Sequence, residues 1–326
     1  MIEHADRECL IKIFMITNFE HLLARARFLG PKRIAVANAQ DEAALSAFWE
    51  AKGMGLVEGI LFGNKAQITQ LLRHLNLATE STKAVEIRDF PSEAEAVTAA
   101  VRSVAIGEAD ILLKGKTKTS TLLKAVLDPQ QGLKTGKLLS DVFLFEDPGR
   151  DNNQLVMISD GGVTIAPDLK QKVEIIQNAV ELAHLLGNTN PKVALLSAVE
   201  TVTSAIPSTL EAAAIAKMNQ RGQIKGCIVD GPLALDNAIS PEAARIKGLE
   251  SPVAGVADIL IPPDIESANM LAKSTTYWAK FRLAHVIMGA KAPILIPSRA
   301  DSADAKLLSI ALGIIVVSSG GGVATK

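Results

Sequence analysis

The stretch PILIPSRADSADAK, Pro293 to Lys306, joins an apolar run to a helix-like segment through a serine and an arginine. PILIPS has the continuous aliphatic character of a strand in a parallel sheet, which is buried on both faces. Ser298 and Arg299 follow where this run ends. A guanidinium is a planar fork of donors that suits phosphate, and a serine hydroxyl can donate to a developing oxyanion. The alternative is that Ser298 caps the next helix and Arg299 pairs with an acidic neighbour.

Short aliphatic runs alternate with longer amphipathic segments along the whole chain, and this pattern predicts parallel sheets with right-handed crossovers. The predicted strands are 33–39, 59–63, 85–90, 110–115, 141–146, 155–161, 192–200, 226–232, 258–264, 293–298 and 314–319. The clearest helix begins after Asp168, a good N-cap, and stops at Gly187. The predicted fold class is therefore α/β.

Length and composition limit the class of protein. A chain of 326 residues suits two domains, and its net charge of −1 argues against a nucleic-acid or membrane-surface protein. Cys9 and Cys227 show no CxxC spacing, so we expect no disulfide framework and no zinc site. The sequence contains no apolar stretch of about 18 residues and no signal-peptide pattern, and we expect a soluble cytoplasmic protein.

Polar or glycine-rich segments follow several predicted strands. They are SDGG at 159–162, SAVET at 197–201, DGP at 230–232, PPD at 262–264 and SRAD at 298–301. Ligands of α/β proteins gather at the carboxyl ends of strands, so these segments predict one cleft built from several loops. The simpler alternative is that polar residues mark the turns where strands end.

The segment KGKTKTS at 114–120 has part of a phosphate-binding motif. A P-loop requires a glycine where this chain has Asp110, so we exclude a nucleoside-triphosphate P-loop. The segment still follows a strand and starts a helix, and a helix N-terminus with lysines can hold phosphate. A solvated lysine-rich loop explains the residues equally well.

Other catalytic motifs are absent from the sequence. There is no GxGxxG for a dinucleotide and no GxSxG for a serine hydrolase. The histidines lack metal-ligand spacing, and we interpret each as structural or exposed: His4, His21, His74, His184 and His285. Aspartates near strand ends include candidates for a general base, although capping explains any single one: Asp160, Asp230, Asp236, Asp258, Asp264, Asp301 and Asp304.

Several ordered motifs from about residue 109 to the C-terminus resemble one enzyme family. They are ADILLKGKTKTSTLLKAVL at 109–127, SDGGVTIAPDLKQKVEIIQNAVELAHLLG at 159–187, KVALLSAVE at 192–200, GPLALDNAIS at 231–240, SPVAGVADILIPPDIESANMLAK at 251–273 and SRADSADAK at 298–306. Together they resemble the phosphate acetyltransferase / phosphate butyryltransferase family, and most closely the phosphate butyryltransferases.

The resemblance implies a fold of two α/β domains with a cleft between them, similar to isocitrate and isopropylmalate dehydrogenases. On that pattern residues 1–139 and 293–326 form the first domain and residues 140–292 form the second as an insertion. It also implies a homodimer or larger homo-oligomer.

The implied activity is reversible transfer of a short acyl group, butyryl or similar, from coenzyme A to inorganic phosphate. Acetyl transfer is the first alternative. A non-catalytic acyl-CoA sensor and a metal-dependent hydroxy-acid dehydrogenase of the same fold are further alternatives. Coenzyme A is a substrate in this interpretation, and we expect no tightly bound cofactor, metal or nucleic-acid partner.

The resemblance also implies roles for individual residues. Ser298 would stabilise the tetrahedral intermediate and Arg299 would hold the phosphate, which agrees with the chemistry of those side chains. The family places an acidic residue a few positions after this pair as the base for the CoA thiol, and Asp304 lies closest to that place while Asp301 competes for it. Further candidates for binding phosphate or CoA are Lys114, Lys116, Lys124, Asn269, Lys273 and Tyr277. In this chain Tyr277 stands where the acetyltransferases have an arginine.

These assignments predict the effect of two substitutions. Arg299→Ala is expected to lower kcat/KM severely without changing the fold, and Ser298→Ala to lower kcat roughly 10²–10³-fold if the hydroxyl is an oxyanion donor. Steady-state kinetics with an acyl-CoA and phosphate measure both effects. Near-wild-type turnover of Arg299→Ala would contradict the assignment.

Overall fold

A computed structural model describes residues 15–77, 85–150, 154–298 and 300–320 of the chain. The strands are β1 (Lys32–Ala37), β2 (Val57–Gly63), β3 (Glu86–Asp89), β4 (Ile111–Lys114), β5 (Ser140–Glu146), β6 (Leu155–Ser159), β7 (Lys192–Leu196), β8 (Ile228–Leu233), β9 (Ile259–Ile261), β10 (Leu283–Met288) and β11 (Ile294–Leu295). The helices are α1 (Phe19–Leu29), α2 (Glu42–Gly53), α3 (Lys65–His74), α4 (Glu93–Ala105), α5 (Thr119–Val126), α6 (Leu169–Leu185), α7 (Pro207–Gln220), α8 (Leu235–Ile239), α9 (Pro241–Ile246), α10 (Ile265–Tyr277) and α11 (Ala303–Ser318).

The described strands form one mixed sheet in the order β3-β2-β1-β4-β11-β10-β5-β6-β9-β7-β8. The first group, β3-β2-β1-β4-β11, pairs in parallel throughout. The second group, β6-β9-β7-β8, also pairs in parallel throughout. Between these groups, β10 and β5 pair antiparallel with each other and with their outer neighbours. The two parallel groups therefore run in opposite directions.

The sheet confirms the predicted α/β class. It is continuous in the described part of the chain, and β10 pairs with β11 between Ile287 and Ile294, on either side of the predicted boundary at residue 293. The division into 1–139 plus 293–326 and 140–292, with a cleft between two domains, stays a prediction.

Ten of the predicted strands overlap a strand of the structure, but the prediction for 314–319 was wrong. That segment is the end of α11, in which every residue from Ala305 to Val316 is buried. A helix buried on all sides has no polar face, so its sequence is an aliphatic run like that of a buried strand. No strand was predicted at β10, whose six residues are all buried.

The predicted helix after Asp168 is confirmed. The Asp168 carboxylate accepts a hydrogen bond from the backbone N–H of Gln171, and the Gln171 side chain returns a bond to the Asp168 N–H. This reciprocal capping satisfies donors that the first turn of a helix would otherwise leave unpaired.

A buried ion pair joins α11 to the start of α2. The Lys306 side chain is 2% exposed, and its Nζ lies 3.3 Å from Oδ1 of Asp41. Asp41 is also the N-cap of α2, where it accepts a hydrogen bond from the N–H of Ala44. One carboxylate thus stabilises both the start of α2 and the charge inside the core.

We predict unequal effects of removing the two partners. Asp41→Ala leaves the Lys306 charge buried and unpaired, and is expected to lower the free energy of unfolding by about 3–5 kcal/mol. Lys306→Met fills a similar volume and leaves no charge in the core, so its cost should be below about 1.5 kcal/mol. Urea unfolding of both variants measures the difference, and equal losses would contradict this account.

Candidate active site

A cavity of about 790 Å³ lies where the two parallel groups of strands meet. Its wall combines charged and polar groups with apolar side chains. The lining residues are Thr119, Asp141, Phe143, Gly161, Gly162, Ile265, Glu266, Asn269, Met270, Ala272, Lys273, Thr276, Tyr277, Leu283, His285, Ile296, Ser298 and Asp301. A cavity of this size with a few convergent polar groups is typical of a small-molecule site.

The turn after β11 places Ser298 and Asp301 in the cavity wall. The backbone N–H of Ser298 donates to Oδ2 of Asp301 at 2.7 Å, and the N–H of Asp301 donates to the Ser298 carbonyl at 3.1 Å. Oγ of Ser298 accepts a bond from the N–H of Ala300 at 3.4 Å, which leaves its own proton available to a ligand. Ser302, and not Ser298, caps the following helix. Arg299 lies outside the described residues.

A row of acid–base groups begins at Asp141 and ends at Asp301. Nδ1 of His285 lies 3.1 Å from Oδ1 of Asp141, and Nε2 lies 3.7 Å from Oδ2 of Asp301. The imidazole stacks on the Phe143 ring with centroids 4.9 Å apart and planes 3° from parallel. We refer to Asp141, His285 and Asp301 as the Asp–His–Asp row.

The pairing of β5 with β10 explains the geometry of this row. Phe143 is the direct partner of His285 in the antiparallel register. Asp141 is two residues from Phe143 and so points to the same face of the sheet. The sheet register therefore brings the carboxylate and the aromatic ring to two sides of one imidazole.

The environment of His285 favours its charged form. Burial alone lowers the pKa of His285, but the negative charges of Asp141 and Asp301 outweigh it and raise that pKa to about 9. Burial raises the pKa of Asp301, but His285, the N–H of Ser298 and Lys273 hold it below its usual value. Both shifts favour a protonated imidazole beside an ionised Asp301 at neutral pH.

Asp160, a buried carboxylate outside the row, bonds to the backbone of Asp141. Asp160 accepts hydrogen bonds from the N–H groups of Asp141, Gly162, Val163 and Thr164. Burial and the nearby charge of Asp141 raise the pKa of Asp160 despite these bonds.

The two glycines after Asp160 leave room for the row. A Cβ on Gly162 would lie 2.4 Å from Oδ2 of Asp141, and a Cβ on Gly161 would lie 2.8 Å from the Phe143 ring. Any side chain at either position would push against the groups that hold His285.

The structure places Asp304 away from the cavity lining. Its two carboxylate oxygens accept hydrogen bonds from Nε and Nη2 of Arg282 at 3.2 and 3.1 Å. Arg282 also lies 3.1 Å from Glu20 of α1. Asp304 belongs to this surface ion-pair cluster, whereas Asp301 faces the cavity.

Three of the six predicted binding residues line the cavity, and all three are on α10. Nδ2 of Asn269 donates to the carbonyl of Gly161 at 2.9 Å, while Lys273 and Tyr277 are exposed on the cavity side. Lys273 is the only lysine or arginine among the described lining residues.

The lysines of the KGKTKTS segment lie elsewhere, although the segment does join a strand to a helix as predicted. Lys114 is buried, and its Nζ donates to the Thr117 carbonyl at 3.4 Å. Lys116 borders a separate polar depression that includes Asp41, and Lys124 is exposed in the last turn of α5. None of these three is among the cavity-lining residues.

Two of the five polar strand ends, SDGG and SRAD, contribute residues to the cavity, and the helix after PPD begins with the lining residue Ile265. SAVET and DGP contribute none, because β7 and β8 lie at the far edge of the sheet. Sequence reasoning did not single out His285, which it grouped with structural or exposed histidines. The available signal was one titratable residue inside an apolar run, LAHVIM.

The described ranges contain no group of three or more His, Cys, Asp or Glu side chains arranged to hold a metal ion. None of the helices there has the length and apolar character needed to cross a membrane. Of the two cysteines, Cys227 is buried and free, and Cys9 lies outside the described residues.

Comparison with known proteins identifies the class of protein to which this chain belongs. The family described as phosphate acetyl/butaryl transferase matches residues 92–314. A phosphate acetyltransferase of Thermotoga maritima is 47% identical over 296 residues, which cover 91% of this chain and 98% of the relative. A phosphate butyryltransferase of Clostridium beijerinckii is 44% identical over 302 residues, which cover 93% and 98%.

Solved structures agree with this classification. A branched-chain phosphotransacylase from Enterococcus faecalis V583 superposes with a TM-score of 0.77 at 32% identity and covers 88% of this chain and 99% of its own. A 4-hydroxythreonine-4-phosphate dehydrogenase from Klebsiella pneumoniae, with a TM-score of 0.51 and 12% identity over 88% of this chain and 99% of its own, shares the fold alone.

The fold and these matches define an acyltransferase. The chain belongs to the phosphate acetyl/butyryl transferase family, as the resemblance of its motifs predicted.

The charged state of His285 predicts a dependence of stability on pH. Because the folded-state pKa of about 9 lies above the ordinary value of 6.5, the stabilisation is complete below pH 6.5 and is lost as pH rises through 9. Asp141→Asn removes the main partner, so the difference in Tm between wild type and this variant should shrink across that range. Calorimetry at a series of pH values measures it.

The matched control is Asp236→Asn, which removes a surface carboxylate that pairs with Lys247 at 3.0 Å. The difference in Tm between this control and wild type should stay constant from pH 6.5 to 9. A constant difference for Asp141→Asn as well would contradict the assignment of charge to His285.

Proposed function

We propose that the protein transfers a short acyl group, butyryl or of similar size, between coenzyme A and inorganic phosphate. The observation that carries the proposal is the cavity itself, in which Ser298, Asp301 and Lys273 share one wall with a set of apolar side chains. Polar groups for a phosphate and a thioester thus lie beside a surface suited to an acyl chain.

The apolar part of the wall supports an acyl chain longer than acetyl. It includes Phe143, Ile265, Ala272, Leu283 and Ile296. Each methylene that this surface removes from water contributes about 0.8 kcal/mol, so a butyryl group gains more from it than an acetyl group.

The reaction needs no covalent enzyme intermediate. A phosphate oxygen attacks the thioester carbonyl, the new C–O bond forms, the C–S bond breaks, and CoA leaves as the thiol. Ser298 Oγ–H is suited to donate to the oxygen that becomes negative in the tetrahedral intermediate. Lys273 and, by resemblance, Arg299 would hold the phosphate.

Acetyl transfer is the second candidate, because a relative that is 47% identical is a phosphate acetyltransferase. It uses the same groups and differs only in the acyl chain. Coenzyme A is a substrate in either case. Location in the cytoplasm, assembly as a homo-oligomer and the two-domain division remain predictions from the sequence.

The predicted activity is phosphate-dependent release of the CoA thiol. We expect release from butyryl- or isobutyryl-CoA with a higher kcat/KM than from acetyl-CoA, measured with a thiol reagent with and without phosphate. A preference for acetyl-CoA would favour the second candidate. Release that does not require phosphate, or no release from any of these thioesters, would contradict the proposal.

A further inference from the structure

His285 is a buried titratable residue of the cavity wall, and one of its ring nitrogens is unpaired among the described residues. The residue is 3% exposed, and its Nε2 is buried without a hydrogen-bond partner. Burial of an unpaired polar group costs free energy, so such a group indicates a use. The nearest acceptor is Oδ2 of Asp301, at 3.7 Å.

We propose that His285 is a positioning residue for proton transfer: anchored by Asp141, its imidazolium keeps Asp301 ionised and fixed in the cavity, and Asp301 carries the proton in acyl transfer. This proposal rests on the proposed function. The sequence offered Asp304 and Asp301 as alternatives for the proton transfer. The proposal assigns this step to Asp301, held by the rest of the Asp–His–Asp row.

His285 is fixed on three sides, which leaves one direction for Nε2. Asp141 binds Nδ1, the Phe143 ring covers one face, and the backbone N–H donates to Oγ of Ser309 at 3.0 Å. The remaining nitrogen faces Asp301. A ring held in this way can orient a carboxylate without touching the substrate.

Asp301 is held through one oxygen only, as far as the described residues show. Its Oδ2 accepts the bond from the N–H of Ser298 and faces His285. Its side chain is 8% exposed and lines the cavity. Oδ1 is therefore the oxygen available to a proton of the substrate.

The charges around the row require the imidazolium. Asp141, Asp160 and Asp301 lie near one another at this end of the cavity, and the cations that face them are His285 and, on the side of α10, Lys273. With a neutral imidazole, neighbouring carboxylates would raise the pKa of Asp301 and repel the phosphate dianion. The raised pKa of His285 and the lowered pKa of Asp301 are consistent with this arrangement.

The proton step is balanced without any further reactant. As the phosphate oxygen forms its bond to the carbonyl carbon, the phosphate hydroxyl gives its proton to Asp301. As the C–S bond breaks, the thiolate of CoA takes the same proton. His285 stays protonated throughout, and Asp301 ends ionised as it began.

The experiment compares His285→Gln and Asp141→Asn with wild type in kcat and KM over a series of pH values. His285→Gln removes the charge, and kcat is expected to fall about 10²-fold with little change in KM for the acyl-CoA. In wild type, kcat should decrease as pH rises through about 9, where His285 loses its proton. Asp141→Asn should move that decrease to lower pH by about one unit or more.

The matched histidine control is His184→Gln, because His184 bonds the Gly226 carbonyl far from the cavity lining. This control should retain the wild-type kcat and pH profile. Asp301→Asn and Asp304→Asn separate the two carboxylates, and only Asp301→Asn is expected to lose kcat. Circular dichroism of every variant establishes that it is folded.

A measurement that does not use activity keeps the proposal testable if Asp141→Asn fails to fold. NMR of ¹⁵N-histidine-labelled wild-type protein reports the ionisation of His285, which should remain protonated at pH 7. A neutral His285 at that pH would overturn the proposal.

The activity results separate this proposal from the proposed function. Wild-type turnover combined with an unaffected His285→Gln, or loss of kcat in Asp304→Asn but not in Asp301→Asn, would overturn the role of the row and leave the transferase assignment intact. Absence of phosphate-dependent turnover in the wild type would overturn both.

Discussion

The antiparallel pairing of β5 with β10 is the constraint on which the rest of the structure depends. It joins two groups of parallel strands that run in opposite directions, and it allows one sheet to continue through the described part of the chain. The same register sets Phe143 opposite His285 and Asp141 on the same face. One set of backbone hydrogen bonds thus produces both the architecture and the arrangement of charges in the cavity.

This arrangement places charges where burial makes them costly. Carboxylates and an imidazolium inside a protein lose the solvation of water, and only close partners and hydrogen bonds compensate for that loss. Asp160 is held by four backbone N–H groups, Asp141 by His285, and Asp301 by Ser298 and His285. Groups held in this way are typical of catalytic sites, because they need little reorganisation when charge moves during a reaction.

The end of β11 contributes two polar residues to the cavity wall. Ser298 and Asp301 bond to each other's backbone, so these two residues are held together after the end of β11. Asp304, three residues further along, is already on α11 and turns to Arg282 at the surface. Proximity in sequence to the Ser-Arg pair therefore does not decide which carboxylate lines the cavity.

The sequence by itself determined the α/β class, the position of nearly every strand and the family. These follow from local patterns: aliphatic runs, caps such as Asp168, and ordered motifs from 109 to the C-terminus. It also selected Ser298 and Asp301 as polar residues at a strand end, where ligand sites gather, and the family resemblance added Lys273.

Only the tertiary structure decided which of these groups meet. The buried helix α11 and the buried strand β10 both lack a polar face, so periodicity cannot classify them. Whether Asp301 or Asp304 lines the cavity depends on the direction of each side chain, and the place of His285 depends on the register of two strands more than a hundred residues apart. Such contacts result from packing between distant segments, which no local pattern in the sequence records.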